Sequence, residues 1–395
     1  MVLQDDDESK LSSVNYLANK RNQVDLNVER FTDVSQALNG ADFVILNVSE
    51  DGVDSWRKDW AISFKHGVKQ VLGRYGGPGG LFHGLRKIHR VMNMVETVEK
   101  ISPDALVLNT TEPIDRTTLT VSRYTNLKVV GVANGVEEQL KRLASVIGSP
   151  VSLLSVKSGG LNNFSWFKEL RFIDGSDAYP LLSESVASAR GFQPICRAMY
   201  DRFGLYPSTD DAHIGEYLAH AWDLIHPSER GLAFIERFEE GEKAKWRKIR
   251  DLMEDPETSQ SLRLPGGNVI SMLAGIISGV ESTAMQVNMP NSGQVPNLIR
   301  DAVVESPART TKHGVEPVSI EDLPAGLAAL CNIQILIQSL AVEAGVRGEK
   351  GLAMQAMLAD PVLDENVSAE KLFNELMEAN RDMLPQFKMD PVDLS

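Results

Sequence analysis

Cysteine is scarce: Cys196 and Cys331 are the only two in 395 residues. Two thiols so far apart in a chain this long point to a reducing compartment and not to a disulfide framework. Positive charge is also in deficit, with 40 Lys and Arg against 54 Asp and Glu and a formal charge of −14 at pH 7. That excludes a nucleic-acid binder, which needs a basic face for phosphates. A small anionic ligand needs only a local cluster of donors and stays open. No unbroken apolar run approaches the ~20 residues of a membrane span. The start, Met1-Val-Leu-Gln-Asp-Asp-Asp7, has neither the basic head nor the apolar centre of a signal peptide. These absences predict a cytoplasmic protein with a small-molecule partner, and no nucleic acid or membrane among its partners.

What is present is an ordinary globular balance, 43% hydrophobic and 24% charged. The length suits about two domains at ~100–200 residues each. Asp42 to Val48 is a continuous apolar run, as expected of a parallel strand covered on both faces. Leu106-Val-Leu-Asn-Thr-Thr-Glu-Pro-Ile-Asp-Arg-Thr-Thr118 reads as a buried strand ending at Asn109, followed by a turn into a helix. A helix over 81–101 precedes it. A strand over 128–133 and a helix over 136–147 follow. The β-α alternation predicts a Rossmann-like, doubly wound parallel sheet over 1–150. In such sheets ligands sit beyond the carboxyl ends of the strands, where Asn109 falls. Beyond residue 150 strands at 151–156 and 169–174 give way to helices at 182–202, 213–225, 228–253, 321–346 and 368–382. Residues 263–284 read as either strand or helix. The expectation for 151–395 is an α+β substrate, catalytic and oligomerisation domain.

Gly73-Arg-Tyr-Gly-Gly-Pro-Gly-Gly80 is either a flexible connector or a loop that lets backbone approach a ligand closely. Asp210 and Asp211 are well placed to cap a helix beginning near His213. The mixed charges of Glu236 to Arg250 read as a solvated helix face.

Taken in order, several stretches resemble the NAD-dependent glycosidases of glycoside hydrolase family 4. They include Gly40-Ala-Asp-Phe-Val44, Lys65-His-Gly-Val68, Gly77-Pro-Gly-Gly-Leu-Phe82 and Asn109 with Pro113. Further on come Gly131 to Leu140, Gly160-Leu-Asn-Asn-Phe-Ser-Trp166, Tyr206 to Tyr217, Gly293 to Asn297 with Val303 to Pro307, and Leu323 to Leu330. The resemblance implies glycoside cleavage by transient oxidation at C3 of the sugar and elimination across C1–C2, the NAD-dependent exception to two-carboxylate hydrolysis. It implies NAD as cofactor and a homodimer or homotetramer, with the apolar helix at 323–345 as a candidate contact.

Residue by residue, the resemblance makes Asn109 and Asn162 sugar-facing. It makes Asp211 the first candidate for the C2 base, with Tyr217 second, and it retains His213 and Glu216. Most members use a divalent metal, held by a cysteine and a histidine. Those positions fall here on Ala133 and Asn163, so bound Mn²⁺ is not expected. The general-acid position of some members falls on Asn134, an amide that orients but cannot donate a proton as an acid. Arg74 replaces a glutamate and, with Trp56-Arg57-Lys58, suits an acidic sugar such as a sulfoquinovoside, while Arg74, His83, Arg86 and His213 are the candidates to polarise the C3 oxygen. Glu112 stands where relatives often carry an amide.

The family's opening strand and Gly-rich phosphate turn have no counterpart in 1–395. The first predicted strand corresponds to the second of such a domain, so the sheet is expected to lack its first strand. A truncated or mis-started reading frame is the expected cause. The cofactor-side candidates are then Asp5, Asn47, Asn109, Gly77, Gly79 and Gly80. Two other readings stay open. One is a catalytically impaired sugar- or nucleotide-binding relative, favoured by the missing turn, Ala133 and Asn163. The other is a simple dehydrogenase, which fits the two strands but not Gly160–Trp166 or Leu323–Leu330.

Overall fold

The computed structural model describes residues 1–20, 26–48, 52–254 and 267–388. The first half alternates strand and helix: β1 (Val2–Gln4), α1 (Glu8–Lys20), β2 (Glu29–Phe31), α2 (Val34–Leu38), β3 (Phe43–Leu46), α3 (Val53–Lys65), α4 (Gly77–Ile101), β4 (Leu106–Asn109), α5 (Ile114–Tyr124), β5 (Lys128–Gly131) and α6 (Gly135–Ile147). The hairpin β6 (Leu154–Leu161) and β7 (Phe164–Phe172) follows. Helices α7 (Tyr179–Ser188), α8 (Pro194–Phe203), α9 (Asp211–Ile214), α10 (Ala221–Leu224), α11 (Gly231–Glu254) and α12 (Gly267–Ser278) come next. The chain ends with β8 (Ser282–Pro290), β9 (Val303–Thr311), β10 (Gly314–Pro317), α13 (Ala325–Arg347), α14 (Lys350–Leu358) and α15 (Ala369–Ala379).

β3, β4 and β5 pair in parallel, as the βαβ pattern requires. β1 and β2 form a separate parallel pair. Among the described residues no strand joins that pair to β3, so the sheet is interrupted between its second and fourth predicted positions. On its other side the sheet continues without a break. Gly131 of β5 meets Asn288 of β8, and the order runs β3-β4-β5-β8-β9-β6-β7, with β10 on β9. The added strands are antiparallel.

The alternation of β4 explains its apolar run. Val107 packs with Val91, Val95 and Val98 of α4 and Val121 of α5 on one face. Leu108 packs with Met272 of α12 on the other. A helix from beyond residue 150 therefore covers the parallel sheet, and the two halves share their packing.

Several sequence expectations are corrected. The stretch 182–202 holds two helices instead of one, because Gly191 adopts φ 79° and Pro194 starts α8. The ambiguous 263–284 resolves into α12 and the start of β8, with 263–266 outside the described residues. Helix α4 begins at Gly77 instead of residue 81, so the Gly-rich stretch is its first turn.

α13 is long and apolar enough to cross a membrane. Here it lies among helices: Gly345 packs so close to Ile88 of α4 that a Cβ would sit 2.8 Å from it. Its buried Gln338 donates to Asp115 of α5.

Arg86, expected at the substrate, is instead a buried tie between α4, α3 and the end of α15. It is 1% exposed and donates to Asp59 Oδ2 (2.6 Å) and Asn380 Oδ1 (2.6 Å). Asp59 is equally buried, and burial raises its pKa despite Arg86. Removing one partner leaves the other charge desolvated without compensation. Arg86→Met is expected to lower stability by about 3–5 kcal/mol, read from urea denaturation.

Candidate active site

The site is organised by Glu216, in the 3₁₀ turn Gly215–Tyr217. Its carboxylate is 1% exposed and accepts five backbone N–H groups. Oε1 takes those of Leu72 (2.6 Å) and Gly73 (2.8 Å). Oε2 takes those of Arg74 (2.7 Å), Tyr75 (2.8 Å) and Gly76 (3.4 Å). The segment 72–76 thus wraps one anion, as successive N–H groups in a nest do. Gly76 is required by proximity, since a Cβ would lie 2.0 Å from the Glu216 carbonyl oxygen. Arg116 clamps the far side, donating to Tyr75 O (2.8 Å) and Gly80 O (2.6 Å).

This packing corrects the role expected of Gly77, Gly79 and Gly80. The Gly77 N–H is taken by Asp360 (2.9 Å) and that of Gly79 by Gln70 (3.1 Å). A Cβ on Gly80 would meet Tyr75 backbone at 2.5 Å. These glycines are small so that α4 can start against its own loop, and they present no cradle to a phosphate. Burial pushes the Asp360 carboxyl up to about 6.

The expected base, Asp211, lies behind the Asp210–His213 pair. Asp211 is 2% exposed, and its carboxylate accepts the N–H groups of Ile195 (3.1 Å) and Cys196 (2.8 Å). It is the cap of α8, whose first turn has Pro194 in place of a donor. Its neighbour does the chemistry-like work. Asp210 caps α9 through His213 N (3.1 Å), pairs with His213 Nδ1 (2.6 Å) and meets Arg142 (3.2 Å). Burial disfavours the His213 cation, but Asp210 outweighs it and raises the imidazole above 6.5. The ring tilts against Tyr75 at 5.7 Å. With Nδ1 held by Asp210, Nε2 is the nitrogen left to a ligand.

The hairpin turn between Leu161 and Phe164 is Asn162-Asn163, with Asn163 at φ 61°. Asn162 Nδ2 reaches Glu112 Oε2 (3.4 Å), and the Tyr217 hydroxyl donates to Asn162 O (3.3 Å). Tyr217 is therefore a support of this turn, and burial pushes its phenol well up, away from use as a base. Asn109 is fully buried, and its amide is spent on the turn into α5. It donates to Thr117 Oγ1 (2.8 Å) and Thr118 Oγ1 (3.0 Å) and accepts from Thr111 N (3.0 Å). The residue that faces outward from this turn is Glu112. Burial raises its pKa, while Arg74, the Ile114 N–H and His213 oppose the rise.

Arg74 lies over Trp56 of α3 (4.8 Å) and Phe238 of α11 (4.7 Å), 8% exposed, so aromatic faces hold its guanidinium. His83 Nδ1 bonds Arg74 O (2.8 Å), and burial with Arg74, Arg86 and Lys87 nearby keeps its imidazole neutral. Beneath the hairpin, burial pushes the Glu305 carboxyl up to about 7. Ser165 (2.6 Å) and Gln286 (2.9 Å) bond it, and Gln286 also caps α6 at Val136 N (2.5 Å). Glu112, Asp210 and Glu305 were not singled out as site residues by sequence reasoning. For Glu112 alone there was a signal, the acid in place of an amide.

The two positions expected to hold a metal carry neither a thiol nor an imidazole. Ala133 offers a methyl group, and Asn163 turns its Oδ1 towards Gly135, leaving a buried Nδ2 without a partner among the described residues. No group of three or more His, Cys, Asp or Glu is placed to hold an ion among those residues. Asn134 is exposed and accepts from Asn268 (2.8 Å). The residues expected on the cofactor side lie at the strand ends. Asn47 is exposed beyond β3, and Asp5 is half-buried beyond β1, where an acidic group meets a ribose in such folds.

A parallel sheet with polar side chains gathered beyond its strand ends defines a small-molecule enzyme of the dinucleotide-dependent class. Residues 1–149 match the family 4 glycosyl hydrolases, and residues 158–363 match the family 4 glycosyl hydrolase C-terminal domain. The chain belongs to this family and is a glycosidase. An α-glucosidase of Erwinia rhapontici is 29% identical, covering 91% of this chain and 86% of its own. An α-galacturonidase of Bacillus subtilis is 25% identical, covering 89% and 84%. In fold it is similar to a 6-phospho-α-glucosidase from gut microorganisms solved with NAD and Mn²⁺, with TM-score 0.82, 19% identity and coverage of 98% and 92%.

The cradle makes a direct prediction. Glu216→Gln replaces one acceptor oxygen with a donor facing N–H groups. It is expected to cost about 3 kcal/mol in urea denaturation, with a loss of activity larger than the unfolded fraction explains.

Proposed function

We propose that this protein hydrolyses O-glycosides with NAD by transient oxidation at C3 and elimination across C1–C2, without the divalent metal used by most relatives. The observation that carries this reading is the site itself. The hydrogen-bonded His213–Asp210 pair acts on Glu112, just beyond the end of β4, while the two positions expected to bind metal are Ala133 and Asn163. The NAD-bound relative supports the cofactor by likeness. When bound, the dinucleotide accepts hydride from the sugar.

The protein's own part follows from charge. A ketone at C3 acidifies the C2 proton, and more so when its oxygen is polarised, which a metal does as a Lewis acid. Here the His213 imidazolium serves, donating through Nε2–H to that oxygen, with Asp210 holding the ring oriented and charged. Asn162, fixed by Tyr217 and Glu112, orients the sugar beside it. The C2 proton goes to Asp211, the first candidate for the base, which also holds α8 and α9 together. The substrate is a single glycoside unit, neutral or acidic. The B. subtilis relative is named for an acidic sugar, but Arg74 is turned onto aromatic faces, which favours a neutral one here.

Turnover of aryl glycosides is expected to require added NAD and to survive a chelator. Strict dependence on Mn²⁺ contradicts the reading. The pH profile tests His213. Its cation is the active form, so activity is expected to fall as pH rises through its raised pKa. Asp210→Asn removes the main force raising that pKa, so the alkaline limb moves to lower pH. An unmoved limb assigns it to another group.

A further inference from the structure

We propose that the Glu112 carboxylate is the acceptor for two adjacent hydroxyl groups of the sugar, occupying the role that a chelating cation would have at this diol. The inference rests on the glycosidase reading and names the recognition chemistry of that same site.

The strand-end geometry carries it. Asn109, at the end of β4, has both amide hydrogens and its oxygen engaged within the turn, so it has little left for a ligand. Three residues on, Glu112 Oε2 is fixed by the Ile114 N–H (3.1 Å), at the start of α5, and by Asn162 Nδ2 (3.4 Å). The positive end of α5 favours an anion there. No hydrogen bond to Oε1 forms among the described residues. One oxygen is anchored and the other is open, on a side chain that cannot swing. Because Asn162 gives a hydrogen to Glu112, its own Oδ1 is left to accept from a further hydroxyl.

Charge separates this arrangement from a metal site. A cation binds hydroxyls through their oxygens and withdraws electrons. A carboxylate binds them through their hydrogens and leaves each oxygen free to receive a second donor. The charged groups that act on Glu112 are Arg74 from the 72–76 segment, His213 from α9 and Asp115 from its own helix. Glu305 of β9 and Tyr75 are coupled to it as well. Of these, His213, with Nδ1 held by Asp210, has Nε2 left to donate to an oxygen of a diol whose hydrogens point to Glu112.

The test uses the full-length protein, isothermal calorimetry and methyl α-D-glucopyranoside, with its 2-deoxy and 3-deoxy analogues, each with and without NAD. In the wild type, loss of either hydroxyl is expected to weaken binding about tenfold or more, because a charged acceptor is left without its hydrogen. Glu112→Gln keeps an acceptor for Ile114 N and Asn162, so it preserves the turn. It is expected to bind the parent sugar at least tenfold more weakly and to discriminate the deoxy analogues less than threefold. Thermal melting within 2–3 °C of wild type (about 1 kcal/mol or less) checks the fold. If Glu112→Gln discriminates as the wild type does, the role of Glu112 is overturned while the glycosidase reading stands. If the wild type neither binds nor cleaves glucosides, galactosides or glucuronides, that reading falls and this inference falls with it.

Discussion

The structure depends on one buried carboxylate. Glu216 gathers five N–H groups from 72–76, a segment 140 or more residues away in the chain. Both of its carboxylate oxygens are answered by backbone donors. It fixes the conformation of a loop that would otherwise have several. Everything on the near side of the site follows from that. Tyr75 turns to the His213 ring, Arg74 lies between Trp56 and Phe238, and α4 starts at Gly77 with its first N–H groups answered by Asp360 and Gln70. The far side is built by a two-residue hairpin turn and by the tight exit from β4. The site is therefore a meeting of three turns, each held by side chains behind it.

That division of labour explains why neighbouring acids have opposite duties. Asp211 points back and caps α8, whereas Asp210 points forward and pairs with His213. Asn109 points into the turn, whereas Glu112 points out of it. The account of metal-free chemistry rests on the forward-facing members: a cation made by His213 and Asp210, and an anion made by Glu112.

Much of this architecture is legible in the chain. The apolar runs at 42–48 and 106–109 become parallel strands, the second covered on both faces and the first with Ile45 exposed on one. The family's ordered stretches place the site at the end of β4. What is not legible is long-range pairing. Arg86 looks like a cation near a sugar site, but its partner Asn380 lies 294 residues away. Gly77 to Gly80 has the composition of a loop, since glycine is chosen both for flexibility and for close packing. Here the second reason applies. A Cβ that would collide with Tyr75 or Gly73 has no signature in one sequence.

The central claim, elimination across C1–C2 without a metal, is tested most directly by isotope exchange. Cleavage of a glycoside in D₂O with NAD and excess chelator should place deuterium at C2 of the released sugar, at a rate equal to that without chelator. A released sugar with no deuterium at C2, or exchange that stops when the metal is removed, contradicts the account.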